Sequence, residues 1–164
     1  MTTDESNPVE LDLQIVTDAQ ALPSRQDFLG WSEAALADAK GPRGLVVRVV
    51  DERESRELNQ CYRDRNQPTN VLSFPFEAPA VAASNHLGDL VICAPVVARE
   101  AQEQHKPAAH HWAHMVIHGI LHLRGYDHED DSSATQMESL EKQLLERLGI
   151  DDPYVESKMT VQEQ

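Results

Sequence analysis

The 164-residue chain is 40% hydrophobic and 26% charged, a balance that suits one soluble domain with a core of its own. Acidic residues outnumber basic ones 28 to 14, giving a net charge of −14, which argues against a protein that coats nucleic acid through its overall field but leaves room for a local basic site. The acidic opening does not read as a signal peptide, and the longest apolar stretch, around Leu90 to Ala98, is far too short to span a bilayer.

In chain order, Glu10 to Val16 alternates apolar and polar residues and reads as a half-buried strand. Pro23 or Ser24 opens a helix through Phe28, Trp31, Ala35 and Leu36, which the Gly41-Pro42 turn ends. Val-rich Leu45 to Val50 is a second strand. Asp51 and Glu54 form a capping-box pattern for a helix running to about Tyr62. Arg63 to Thr69 reads as a polar loop, and Val71 to Phe76 as a strand that Pro75 and Pro79 push to a sheet edge. Leu87 to Cys93 is the fourth strand. Pro95 and Pro107 each start a helix, the second apolar on most sides and ended by Gly125. Ser132 or Ser133 begins a last helix through Met137, Leu140, Leu144, Leu145 and Leu148, ended by Gly149. The expected fold is α+β, a single domain with a small mixed β-sheet covered by helices and a metal site on a helix and the turn after it. Residues 10–152 are the expected domain, with tails at 1–9 and 153–164. Cys61 and Cys93 sit in unrelated settings and fit reduced cytoplasmic thiols.

The chemistry concentrates in His118-Gly-Ile-Leu-His-Leu-Arg-Gly-Tyr-Asp-His128. His118 and His122 are four apart on a helix, so their imidazoles share one face, close enough to share a metal. Gly125 lets the chain turn back, so His128 can supply a third nitrogen. Three neutral nitrogens with an open fourth position describe a catalytic metal site better than a closed structural one. Any one of these histidines alone would read as an ordinary helix-face residue; the spacing of the set points to a metal. His110, His111 and His114 lie upstream on the same helix and read as polar face, or as support behind a ligand. His86 and His105 read as loop and helix-end residues. The metalloprotease pattern has a Glu base directly after the first His, and here that position is Gly119, so the protease logic is missing. Gly119 either allows close packing or leaves room beside the metal. Met137 and Trp112 read as core.

The same run resembles the signature of the YbeY family, bacterial endoribonucleases of rRNA maturation. Leu58-Asn-Gln-Cys-Tyr-Arg63, Pro68-Thr-Asn-Val-Leu-Ser-Phe-Pro-Phe76, Leu87-Gly-Asp-Leu-Val-Ile-Cys93 and Ala113-His-Met-Val-Ile-His118 are similar to further family blocks in family order, over about residues 10–155. The resemblance implies a metal-dependent, single-strand-selective endoribonuclease, acting at the 3′ end of small-subunit 16S rRNA and in ribosome quality control. It places one divalent ion, zinc by preference, on His118, His122 and His128, and the functional arginine on Arg63. It implies a cytoplasmic protein whose partners are single-stranded RNA, the small ribosomal subunit with its proteins or an assembly GTPase, and neither membrane nor DNA.

A metal ion acidifies water and polarises a phosphoryl oxygen, and an arginine can grip phosphate oxygens in a fork, so His118, His122, His128 and Arg63 suit phosphoryl transfer without a Glu base. Asn70 and Ser73 could meet phosphate or ribose, or simply bond local backbone. Asp127 could orient His128, or be a turn residue. Asp89 reads as a paired or edge charge. Tyr62 and Phe74 could stack bases, with packing the plainer reading. Two other functions fit the same residues: a three-histidine hydrolase of another substrate, and a non-enzymatic ribosome-assembly factor stapled by metal. The acidic excess belongs to the ends, net −6 over residues 1–40 and −7 over 129–164, while 41–128 is close to neutral at −1. Free RNA should therefore bind weakly, with targeting left to protein contacts.

Overall fold

A computed structural model describes residues 8–77, 84–126 and 130–151. The chain forms β1 (Glu10–Ile15), α1 (Arg25–Ala35), β2 (Gly44–Val50), α2 (Glu52–Arg63), β3 (Val71–Pro75), β4 (His86–Cys93), α3 (Ala94–Glu103), α4 (Ala108–Leu123) and α5 (Asp131–Arg147). The four strands make one mixed sheet in the order β1-β2-β4-β3. β1, β2 and β4 are parallel, and β3 runs antiparallel on the edge beside β4, where Ser73 faces Leu90 and Phe74 faces Asp89. The edge position expected from Pro75 is the observed one.

Strand alternation sorts the two faces. Leu11, Leu45, Val47, Leu90, Ile92 and Val71 point into the main core with Phe28 and Trp31 of α1 and most of α4. Phe28 meets Trp31 and Trp112 edge to face, at 5.8 and 5.7 Å between ring centroids. The opposite face carries a smaller cluster, Val50, Leu72, Val91, Cys93 and Val96, capped by Leu58 of α2 and by Phe74. Helix α4 is central. Trp112, Ala113, Val116, Ile117, Ile120 and Leu121 are all buried, each large apolar side chain contributing about 1.5–3 kcal/mol. Beyond its open first turn, only a narrow stripe that includes His118 and His122 is left partly open. Met137 of α5 is fully buried, as expected of core.

Glycine lets α4 press this close. A Cβ on Gly119 would lie 2.7 Å from Leu90 Cδ2 and 3.3 Å from Ser73 Oγ, so Gly119 serves close packing of helix on sheet. Gly125, with φ +101°, takes the left-handed turn that ends the helix.

Three local readings are corrected. Ser24 caps α1 in a full capping box with Asp27, but Asp51 makes no such bond to α2. Its carboxylate instead accepts from the Thr17 hydroxyl, and Glu54 pairs with Arg48 at 2.5 Å. Both capping partners are thus drawn to neighbours outside the helix, Thr17 and Arg48, that local sequence does not reveal. Arg63 is the last residue of α2 rather than the first of a loop. Helix α5 begins at Asp131, because Asp130 accepts the Ser133 amide at 2.8 Å and so caps the helix earlier than a serine start would. Cys61 is exposed and Cys93 buried, both free. No helix among the described residues is long and apolar enough to cross a membrane.

Candidate active site

A groove of about 880 Å³ runs along the outer side of β3, lined by Tyr62, Arg63, residues 69–75, His118, His122, Gly125 and Tyr126. One wall is the open stripe of α4; the other is the end of α2. Asn59 and Ser55 of α2 fix that end: Asn59 Nδ2 donates to the Gln67 carbonyl at 2.8 Å, and the Ser55 hydroxyl exchanges hydrogen bonds with Thr69 at 3.0 Å. These buried bonds fold the 64–69 loop back onto its own helix and bring Arg63 to the mouth of β3. Arg63 is exposed and makes no ion pair among the described residues, whereas Arg48 and Arg99 pair with Glu54 and Glu52.

On the facing wall, His118 Nδ1 donates to Glu141 Oε2 at 2.5 Å. That bond puts the proton on Nδ1 and turns the Nε2 lone pair outward. His118 Nε2 then stands 3.2 Å from His122 Nε2. Two nitrogens on one tetrahedral zinc, at 2.0–2.1 Å each, stand about 3.3 Å apart. The two imidazoles are thus spaced as joint ligands would be.

Glu141 was not singled out by the sequence. It is fully buried on α5, between Met137 and Leu144 on that helix's apolar stripe. A carboxylate on an apolar helix face was the signal available, since such a charge is retained only with a partner. Burial pushes its carboxyl up, but the nearby His114 and the hydrogen bond from His118 outweigh that and hold it well below the usual carboxylate range. His114 Nε2 lies 3.6 Å from the same oxygen. Burial favours the neutral His114 ring against the pull of Glu141. Ligating atoms of His114, His118 and Glu141 all lie within 4.8 Å of one another, so this cluster could hold a metal ion.

The remaining expectations fall as follows. Asn70 lines the groove, but its Oδ1 accepts the Val71 amide at 2.6 Å and its Nδ2 donates to Glu100 at 3.1 Å. Glu100 in turn meets His111 Nε2 at 2.8 Å, which ties β3 to α3 and α4. Ser73 Oγ donates to the Gly119 carbonyl at 3.1 Å. Asp89 pairs with His86 at 2.7 Å. Asp127 and His128 lie outside the described residues.

A mixed four-strand sheet over a histidine-bearing helix, with an arginine across a groove, defines a small α+β domain with a histidine-and-arginine cleft. The family model "Endoribonuclease YbeY" matches residues 6–149. The solution structure of TM1509 from Thermotoga maritima is similar to this chain at 28% identity, with a TM-score of 0.57, covering 93% of this chain and 95% of that one. The chain belongs to the YbeY endoribonuclease family, a family of rRNA processing.

Proposed function

We propose that the protein is a metal-dependent, single-strand-selective endoribonuclease that trims the 3′ end of 16S rRNA and acts in ribosome quality control. In this reading residues 10–152 are the catalytic unit, working in the cytoplasm on the small subunit with its proteins or an assembly GTPase. The carrying observation is the pair of imidazoles on α4, Nε2 atoms 3.2 Å apart, with His118 steadied from behind by Glu141.

His118, His122 and His128 would hold one divalent ion, zinc by preference. When bound, such an ion supplies Lewis-acid stabilisation of charge on phosphoryl oxygen and a water of near-neutral pKa. Glu141 keeps His118 in one tautomer and one orientation, which raises the basicity of the ligating nitrogen. The 2.5 Å separation of His118 Nδ1 and Glu141 Oε2 is a hydrogen-bond length, too short for two ligands on one ion, so Glu141 reads as the ligand's support. Arg63, across the groove, grips the non-bridging phosphate oxygens in a fork and stabilises the charge that gathers there as the phosphorane forms. Asn70 and Ser73 fix the edge strand between the two walls, His114 backs Glu141, and Asp127 is the proposed partner of His128.

The test is cleavage of defined single- and double-stranded RNA by purified protein. We expect cutting of the single strand that stops with a chelator, with His118→Ala or with Arg63→Ala. Unchanged cutting under all three conditions would sink the reading. Turnover of a peptide or small ester without RNA turnover would favour a hydrolase of another class. Rescue of ribosome assembly by folded, cleavage-dead Arg63→Ala would favour the stapled assembly factor.

A further inference from the structure

The groove has an aromatic rim that the phosphate chemistry does not use. Tyr62 precedes Arg63 at the end of α2 and is 65% exposed. Its ring meets Phe74 edge to face, with centroids 5.1 Å apart and planes at 69°. Phe74 is anchored from below by the Leu72 and Val91 cluster, so the pair is a fixed feature of the edge strand. Phe76 continues the line: its amide extends the ladder to the Leu87 carbonyl at 3.0 Å. Its ring is 46% exposed and meets His86 at 5.1 Å. Two residues apart on an extended chain, Phe74 and Phe76 share one face.

We propose that Tyr62 and Phe74 form a stacking platform for a base of unpaired RNA next to the phosphate held at Arg63. The inference rests on the endoribonuclease reading. Three observations carry it. The platform is continuous with the groove, since Tyr62, Arg63 and Phe74 all line it. One peptide unit, about 3.8 Å between Cα atoms, separates the residue for the base from the residue for the phosphate. Charge also sorts the strand: Tyr62 and Phe74 carry none, and Asp89 opposite Phe74 is taken up by His86, so phosphates find their partner at Arg63 and the ring faces are left to bases. Aromatic side chains accept any base, because every base has a π-face. A duplex keeps its bases paired and stacked on each other, so only an unpaired strand can place one on Tyr62. The platform thus gives single-strand selectivity a physical cause.

The experiment uses the full-length protein and a short single-stranded oligoribonucleotide carrying 2-aminopurine at one position at a time. Binding should quench the probe at one position flanking the cut, and Tyr62→Ala should abolish the quench while Tyr62→Phe retains it. For cleavage of the unlabelled strand, Tyr62→Ala should raise KM about tenfold, the loss falling mainly on KM, as expected for one lost base stack. An abasic nucleotide at the quenched position should raise the wild-type KM equally and make Tyr62→Ala silent. Absence of any Tyr62-dependent quench, or an equal loss by Tyr62→Ala on the abasic strand, would overturn the platform. The quench is read in binding alone, so it decides the platform even for a strand that is not cut. A wild-type protein that stacks RNA without cutting it would overturn the nuclease reading and leave the platform standing.

Discussion

The two walls of the groove are built on opposite terms. The α4 wall grows out of the main core: His118 and His122 emerge from a helix buried on its other sides, and a fully buried carboxylate on α5 locks the first of them. The α2 wall is the tip of a solvent-washed helix, where Tyr62 and Arg63 stand exposed beside an edge strand. Under the proposed function the difference separates two tasks. A metal ligand must be held within a fraction of an ångström, which only packed surroundings achieve. A residue that meets a long, variable strand works from a more open position. Substitutions on the first wall should therefore damage ligand geometry, and those on the second should damage the encounter with RNA.

The largest effect is expected at Arg63, the proposed phosphate grip. Arg63→Ala should lower kcat for RNA cleavage about 10²- to 10³-fold, the usual consequence of removing one preorganised charge donor. Metal content should stay at the wild-type level. Loss of metal in this variant would mean that the two walls are not independent.

Glu141→Gln probes the packed wall. It keeps the volume but removes the charge facing His118, so metal affinity should fall about 10- to 100-fold in a competition titration with a chromogenic chelator. Wild-type affinity would show that His118 does not need its buried partner.

A smaller effect is expected from Gly119→Ala. The new methyl would press on Leu90 at 2.7 Å, an overpacking that costs about 1–3 kcal/mol. In a protein of this size that is a Tm loss of roughly 2–10 °C, measurable by calorimetry. An unchanged Tm would show that α4 has slack to move, and with it His118 and His122.

The smallest concerns Glu100, which links the α4 wall to β3. Burial pushes its carboxyl up, but hydrogen bonds from His111 and Asn70 prevail and lower it below its ordinary 4.5. A lowered carboxyl stabilises the fold above pH 4.5, and the gain disappears as pH falls through the folded-state value. The Tm difference between wild type and Glu100→Gln should be constant above pH 5 and shrink on further acidification. A difference that grew with acidification would reverse the assigned sign.

Much of this site is written locally. The i, i+4 spacing of His118 and His122 and the helix end at Gly125 survive folding unchanged, because they depend only on helix geometry. Pro75 likewise marks an edge strand whatever its partner. What failed in the local reading depended on distant residues. Asp51 looks like a cap, yet Thr17, 34 positions earlier, takes its carboxylate. Glu141 looks like one more charge on an acidic helix until α5 packs on α4 and sets it against His118, 23 residues away. Tyr62 fits a core reading by composition, and only the open end of α2 leaves it in solvent. The acidity of the whole chain says nothing of where exposed Arg63 and buried Glu141 sit in the groove and behind it.

The most direct measurement is the metal content of the purified protein and two variants by inductively coupled plasma mass spectrometry. With His118, His122 and His128 as ligands, we expect one zinc per wild-type chain, loss of it in His122→Ala, and its retention in folded His114→Asn. A metal kept by His122→Ala and lost from His114→Asn would contradict this and move the ion to the His114, His118 and Glu141 cluster.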